Sequence, residues 1–254
     1  MKKLLNKCEF KQSVKNNWKL WALLTGVLCF FTTVMTIVSK SMASSASEHG
    51  RVFSVLEMHA QGGVFGMMGI ILILIYAIAV GNKLVVSEVD GGTMSFTLNT
   101  PTTRRQLIFS KATFYILSLI AMCMTVGLFG TISGTAVGVD LDYGKFWLLI
   151  LGLFTYSLAI SGICFAASCW FNKSGNALMI GAGFPIAFFL LNTLSMMDDL
   201  SFMKYFSLNT LFDTTKVIAG DMVFTAISFV AMFAIGIVLY IVGINKFLRK
   251  DLPL

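Results

Sequence analysis

Residues 62–82 read Gly-Gly-Val-Phe-Gly-Met-Met-Gly-Ile-Ile-Leu-Ile-Leu-Ile-Tyr-Ala-Ile-Ala-Val-Gly-Asn, a run without a charged side chain that Lys83 then closes. Crossing the ~30 Å hydrocarbon core of a bilayer takes about 20 helical residues at ~1.5 Å each, and this stretch supplies them. Five further runs share the pattern: 20–39, 112–139, 146–172, 174–197 and 222–245, all free of Lys, Arg, Asp, Glu and His and bracketed by charged residues. Composition agrees, because 57% of the 254 residues are hydrophobic and 12% are charged, about half the charged share of a soluble domain. A soluble globule of this size has too little interior for so much apolar surface. The expected fold is therefore an all-α integral membrane protein, one transmembrane domain (1–254) with six spanning helices. The polar stretches between the runs are too short for a soluble catalytic domain.

An even number of spans puts both termini on one side, and the basic residues say which. Lys2, Lys3, Lys7, Lys11, Lys15 and Lys19 fill the arm 1–19, and Lys83, Arg104, Arg105 and Lys111 the second loop. Lys173 in the fourth loop and Lys246, Arg249 and Lys250 at the carboxyl end complete this face. The opposite loops hold most of the acids, among them Asp198, Asp199, Asp213 and Asp221. Loops rich in Lys and Arg stay in the cytoplasm, so both termini are expected there. The net charge of +7 then records topology and attraction to anionic membrane lipid, and calls for no nucleic-acid partner. Small residues at Met42-Ala43-Ser44-Ser45-Ala46-Ser47 raise a cleaved signal peptide as the rival reading of the first run. That run exceeds the ~7–15 residues of a signal core, and the basic arm ahead of it is long, so it is read as a span. Cys29, Cys123, Cys164 and Cys169 fall in spans and Cys8 in the arm, which offers no external disulfide framework.

Several chemistries are missing. The two histidines, His49 and His59, lie in the first external loop beside Glu48 and Glu57 at a spacing that matches no metal-ligand pattern. A short surface helix with Phe53 and Leu56 on the lipid headgroups is expected there, with no metal and no catalytic residue. No span carries the buried carboxylate or histidine of a proton relay. Gly181-Ala182-Gly183-Phe184-Pro185 either kinks the fifth span, the preferred reading, or unwinds it to offer carbonyls to a coupling ion. The nearest approach to a phosphate loop is Gly138 followed by Gly144-Lys145-Phe146, one residue too long and with phenylalanine where a magnesium-binding hydroxyl belongs. The chain is not expected to be an enzyme, and any ATP hydrolysis belongs to another polypeptide.

The loop after the second span is the most informative: Glu88-Val89-Asp90-Gly91-Gly92-Thr93-Met94-Ser95-Phe96-Thr97-Leu98-Asn99-Thr100-Pro101-Thr102-Thr103-Arg104-Arg105-Gln106-Leu107-Ile108-Phe109-Ser110-Lys111. Gly91 and Gly92 leave the second helix, 93–98 is long enough for a short helix, and Pro101 forces a break. Thr103 with Gln106 forms a capping box that starts the next span. In order and near-spacing, Glu88, Gly92-Thr93, Leu98, Pro101, Arg104 and Lys111 resemble the corresponding loop in permease subunits of type 2 ABC transporters, of the bacterial peptide and antibiotic export and immunity kind. Asn99-Thr100 departs from that pattern, where a small or apolar residue is usual before the proline. Six spans, cytoplasmic termini and an amino-terminal arm carry the resemblance over nearly the whole chain.

The resemblance implies a coupling helix, with Glu88, Gly92, Thr93, Leu98, Pro101, Arg104, Arg105 and Lys111 around it, that seats in a separate ATP-binding subunit. Two copies of that subunit would carry the ATP and Mg, leaving this chain without a cofactor. It also implies a second permease chain, identical or homologous, residence in a bacterial plasma (inner) membrane, and an interfacial helix in the arm. A short re-entrant or interfacial segment between spans five and six would place Phe202, Tyr205 and Phe206 at an extracellular gate. Gly130, Gly134 and Gly138 recur every four residues in the third span, and serve close helix packing either within the subunit or between two. The expected function is export of an amphipathic or hydrophobic substrate: a peptide antibiotic, cytolytic peptide, drug or lipid-linked molecule. An ion-coupled secondary transporter and a non-transporting scaffold or sensor subunit are the alternatives.

Overall fold

Residues 6–45, 55–94, 103–139, 141–195 and 207–250 are described by a computed structural model, and their regular structure is helical throughout. In order these are α1 (Lys7–Ser45), α2 (Val55–Gln61), α3 (Met67–Leu84), α4 (Val86–Asp90), α5 (Arg104–Val137), α6 (Tyr143–Trp170), α7 (Ser174–Leu194), a 3-10 turn (Leu208–Leu211), α8 (Thr214–Ala219) and α9 (Met222–Arg249). Helices α1, α3, α5, α6, α7 and α9 are long and apolar enough to cross a membrane, as the six uncharged runs require. The arm is helical but not a separate element, since α1 runs unbroken from Lys7 through the first apolar run.

Both ends of the described chain meet the start of α5. The Asn6 backbone N–H donates to Ser110 Oγ at 2.9 Å, and Arg104 Nη1 donates to the Lys250 carbonyl at 3.3 Å. This is termed the terminal end of the bundle, the other the distal end. At the distal end the acids have a structural use. Asp142 Oδ1 accepts from the Lys145 N–H, Asp213 from Thr215 and Lys216, and Asp221 from Phe224. A carboxylate there satisfies orphan amides and meets the positive end of the helix dipole.

Helix α6 is the hub, packed against α9, α7, α3 and α5, while α1 lies mainly along α5. The most extensive crossing is α6 on α9. A Cβ added to Gly236 would sit 2.9 Å from Leu158 Cγ, and one on Gly243 3.1 Å from Ala166 Cα. Because lipid is as apolar as the side chains, helix association inside a bilayer depends on such close packing. The glycines singled out in the third span behave differently from one another. Gly130 lies under the Phe146 ring and Gly134 under Leu141, both within the chain, whereas Gly138 ends α5 in the left-handed conformation (φ 69°). Only glycine enters that conformation without strain. Three buried tyrosines, Tyr76, Tyr115 and Tyr240, cross the middle of the bundle, their hydroxyls donating to Ser118 Oγ, the Ala77 carbonyl and Ser161 Oγ.

One local expectation is overturned, and one choice between two readings is narrowed. In α2, Leu56 and His59 are buried rather than laid on headgroups, because α2 folds back against α1 and joins the core; Phe53 and His49 lie outside the described residues. His59 Nδ1 lies 2.8 Å from the Val55 carbonyl, and its Nε2 is 3.3 Å from both Thr36 Oγ1 and the Thr32 carbonyl. In α7 the helix continues through Gly181 to Pro185. Proline has no N–H for the carbonyl four residues earlier, and the Cys164 thiol donates to that Gly181 oxygen at 3.1 Å instead. The carbonyl is thus taken up inside the protein and does not face an ion.

Candidate functional site

The terminal end gathers most of the loop residues that the sequence singles out. Helix α3 stops at Leu84, where Val85 leaves the helical conformation (φ −124°, ψ −65°). Lys111, entering from α5, fills the gap: its Nζ donates to the Leu84 carbonyl at 2.6 Å and to Glu88 Oε2 at 2.5 Å. Lys111 is 1% exposed and Glu88 29%. Burying an ammonium costs several kcal/mol unless a charge and further acceptors compensate it, and both are supplied here. Glu88 and Lys111 thus form one unit that turns the chain from α3 into α4.

Further bonds then fix α4 on two more neighbours, α6 and α7. The Val86 N–H donates to Ser168 Oγ of α6 at 2.9 Å, and Asp90 Oδ2 accepts from the Ser174 N–H at the start of α7 at 3.0 Å. Asn82 Nδ2 adds a 2.8 Å bond to Ser174 Oγ. Gly91 and Gly92 follow, Gly92 with φ 68°, and Thr93 Oγ1 turns back to the Glu88 carbonyl at 3.3 Å. Thr93 and Met94 are helical, and Met94 is buried in the core. Leu98 and Pro101, with most of the expected coupling helix, lie outside the described residues, as do Phe202, Tyr205 and Phe206.

On the far side of the loop Thr103 and Gln106 make the reciprocal capping box, with 3.3 Å and 3.1 Å bonds. Arg104 is drawn onto the Lys250 carbonyl, whereas Arg105 is exposed and rests 5.8 Å over the Phe109 ring of its own helix. Lys250 in turn donates to the Cys169 and Phe171 carbonyls at 3.2 and 2.6 Å, tying the carboxyl end to the end of α6. Burial pulls the Lys250 ammonium below its ordinary pKa range, with repulsion from Lys246 adding to it.

The arm contributes a wall that sequence reading passed over. A polar cleft of about 200 Å³ lies between α1 and the α3–α4 junction, lined by Glu9, Gln12, Asn16, Lys83, Ser87 and Glu88. Lys83 Nζ closes it by donating to the Asn16 carbonyl at 2.8 Å. Glu9, Ser168 and Ser174 had no local signal, since each acts on residues far away in the chain. Among the described residues no three His, Cys, Asp or Glu side chains come together to hold a metal. What the arrangement can do is mechanical: one short helix, α4, is bonded through Glu88, Val86 and Asp90 to α5, α6 and α7 at once, so a push on it reaches three spanning helices.

Residues 4–252 match a family model described as ABC-2 family transporter protein. No curated protein and no solved structure matches the chain.

Proposed function

Because the chain belongs to the ABC-2 family of transporter proteins, we propose that it is the membrane-spanning half of an ATP-driven exporter, docking its motor on the α4–Gly92–Thr93 segment. Family membership makes it a multi-pass transmembrane subunit of an ABC transporter, in which ATP is bound by a partner. The finer reading rests on the way Lys111, Ser168 and Ser174 bind that segment to three spans. Closure of two ATP-binding subunits, carrying ATP and Mg, would press on the segment and rock α5, α6 and α7 together. A second permease chain would complete the pore. The basic terminal end faces the cytoplasm of a bacterium on this reading, which puts the segment where the motor is.

Spanning helices without a buried free charge favour an amphipathic or hydrophobic cargo, such as a peptide antibiotic, cytolytic peptide, drug or lipid-linked molecule, over a small ion. The ion-coupled alternative needed unwound carbonyls between Gly181 and Pro185, and the helix there is continuous.

Copurification of the tagged permease from native membranes tests docking. Glu88→Lys would disturb the fold through Lys111, so Arg105→Glu, an exposed position, is the cleaner variant. An ATP-binding subunit should copurify with the wild type and be lost with Arg105→Glu at unchanged permease yield. Failure to recover any ATPase in several detergents would return the scaffold reading.

A further inference from the structure

Helices α7 and α9 both lie on α6, and between them runs an open furrow of about 440 Å³, within the ~300–1,000 Å³ of ordinary ligand sites. Ala166 and Trp170 of α6 form its floor, Ile180 and Phe184 of α7 one wall, and Leu239 and Val242 of α9 the other. Every wall is apolar, so the part of an occupant that lies there is hydrocarbon.

The terminal end of the furrow is the opposite in character. Continuing the α9 stripe from Leu239 and Val242, positions four and seven residues beyond Val242 are Lys246 and Arg249, which share its face. Lys246 Nζ sits 4.7 Å from the Trp170 ring centroid, and Lys250 Nζ lies on the Phe171 carbonyl. Lys173 is exposed at the start of α7. None of these four cations lies within ion-pair distance of an acid among the described residues. The neighbouring acid Asp90 accepts from the Ser174 N–H. Trp170 stands between the two zones, where an indole marks the boundary of hydrocarbon and headgroups.

We propose that this furrow is a binding site for an anionic glycerophospholipid of the leaflet at the terminal end, its acyl chain between α7 and α9 and its phosphate against Lys246, Arg249 and Lys250. A neutral lipid would leave the cations without counter-charge. A free phosphate would leave the apolar walls bare. A second copy of the chain, docked by a two-fold axis through the furrow, would set one basic rim against another. The site goes beyond the exporter reading and needs only that the helices stand in a bilayer, so its failure and that of motor docking are separate results.

The test uses the full chain with Trp18, Trp21 and Trp147 changed to Phe, which leaves Trp170 as the reporter. It is reconstituted in phosphatidylcholine bilayers carrying brominated-chain phosphatidylglycerol or, in parallel, brominated-chain phosphatidylcholine. Phosphatidylglycerol should quench Trp170 at markedly lower mole fraction than phosphatidylcholine. Lys246→Gln should cut that advantage about five-fold, the value of one basic residue near an anionic headgroup, and Lys246→Arg should keep it. Ala166→Leu, which fills the floor, should reduce quenching by both lipids. Equal quenching by the two lipids, indifference to Lys246→Gln, or relief by millimolar inorganic phosphate would each overturn the proposal. So would absence of quenching together with a copy-to-copy disulfide through Phe184→Cys, which would assign the furrow to a second chain.

Discussion

Lys111 Nζ stands between Glu88 Oε2 and the Leu84 carbonyl, 2.5 and 2.6 Å away, so a single buried ammonium both ends α3 and positions the loop that follows. Glu88→Gln leaves that ammonium without its counter-charge. The expected loss is about 3 kcal/mol, the low end for a broken buried pair, because Glu88 keeps some contact with solvent. Thermal unfolding of the purified permease in detergent checks it, and Lys111→Met added to Glu88→Gln, which removes the orphaned ammonium, should recover part of the loss. An unchanged midpoint for Glu88→Gln would show that the pair does not hold the turn.

His59 gives the distal end a pH dependence. Burial pushes its imidazole below the ordinary range, against the pull of the Val55 and Thr32 carbonyls. The unfolded chain therefore binds the proton first, and stability is fully present above the unfolded pKa of about 6.5 and declines as pH falls below it. The midpoint difference between wild type and His59→Gln should shrink from pH 7.5 to pH 5. A constant difference would contradict the burial argument.

At the α6–α9 crossing, Gly236→Val forces carbon into space already occupied by Leu158. Overpacking of this kind costs about 1–3 kcal/mol. Gly134→Ala, whose new methyl would meet Leu141 at an ordinary 3.4 Å, is the control and should unfold close to wild type.

The thiol of Cys164 and the ring of Pro185 are coupled through one carbonyl oxygen. Cys164→Ala should cost about 1 kcal/mol in the wild-type background, the worth of a buried hydrogen bond. In a Pro185→Ala background the restored N–H of residue 185 takes the Gly181 oxygen, and the same change should cost less. A double-mutant cycle in thermal stability reads the difference, and strict additivity would mean that the bond contributes nothing.

Thr103→Ala removes one half of the capping box at the start of α5, at a cost of about 1 kcal/mol. Hydrogen exchange should quicken in the first turn, Arg104 to Leu107, and stay unchanged near Ser118.

Membrane spans were legible because a bilayer imposes a rule on every residue within it, and six charge-free runs obey that rule. The capping box was legible because both partners lie within one turn. Glu88 and Lys111 were legible as loop residues but not as a pair, since 23 positions separate them and nothing local records that they meet. Ser168, Ser174 and Glu9 were invisible for the same reason. The α6–α9 seam escaped notice because Gly236 and Gly243 each need a partner on another helix before their smallness means anything, whereas Gly130, Gly134 and Gly138 advertise a spacing that Gly138 does not use. His59 was misplaced because an isolated polar residue in a loop reads as surface until the element packed above it is known.

Helix α1 holds 39 residues without interruption, a rod of about 58 Å. There is no joint between the portion beside Glu9 and the portion beside Leu28, so the two cannot be aimed independently. A ~10° tilt about the midpoint would swing each tip by ~5 Å at ~1.5 Å of rise per residue. The amino-terminal segment is in this sense an oar whose blade and handle lie on opposite sides of one fulcrum, and anything that grips the handle steers the blade.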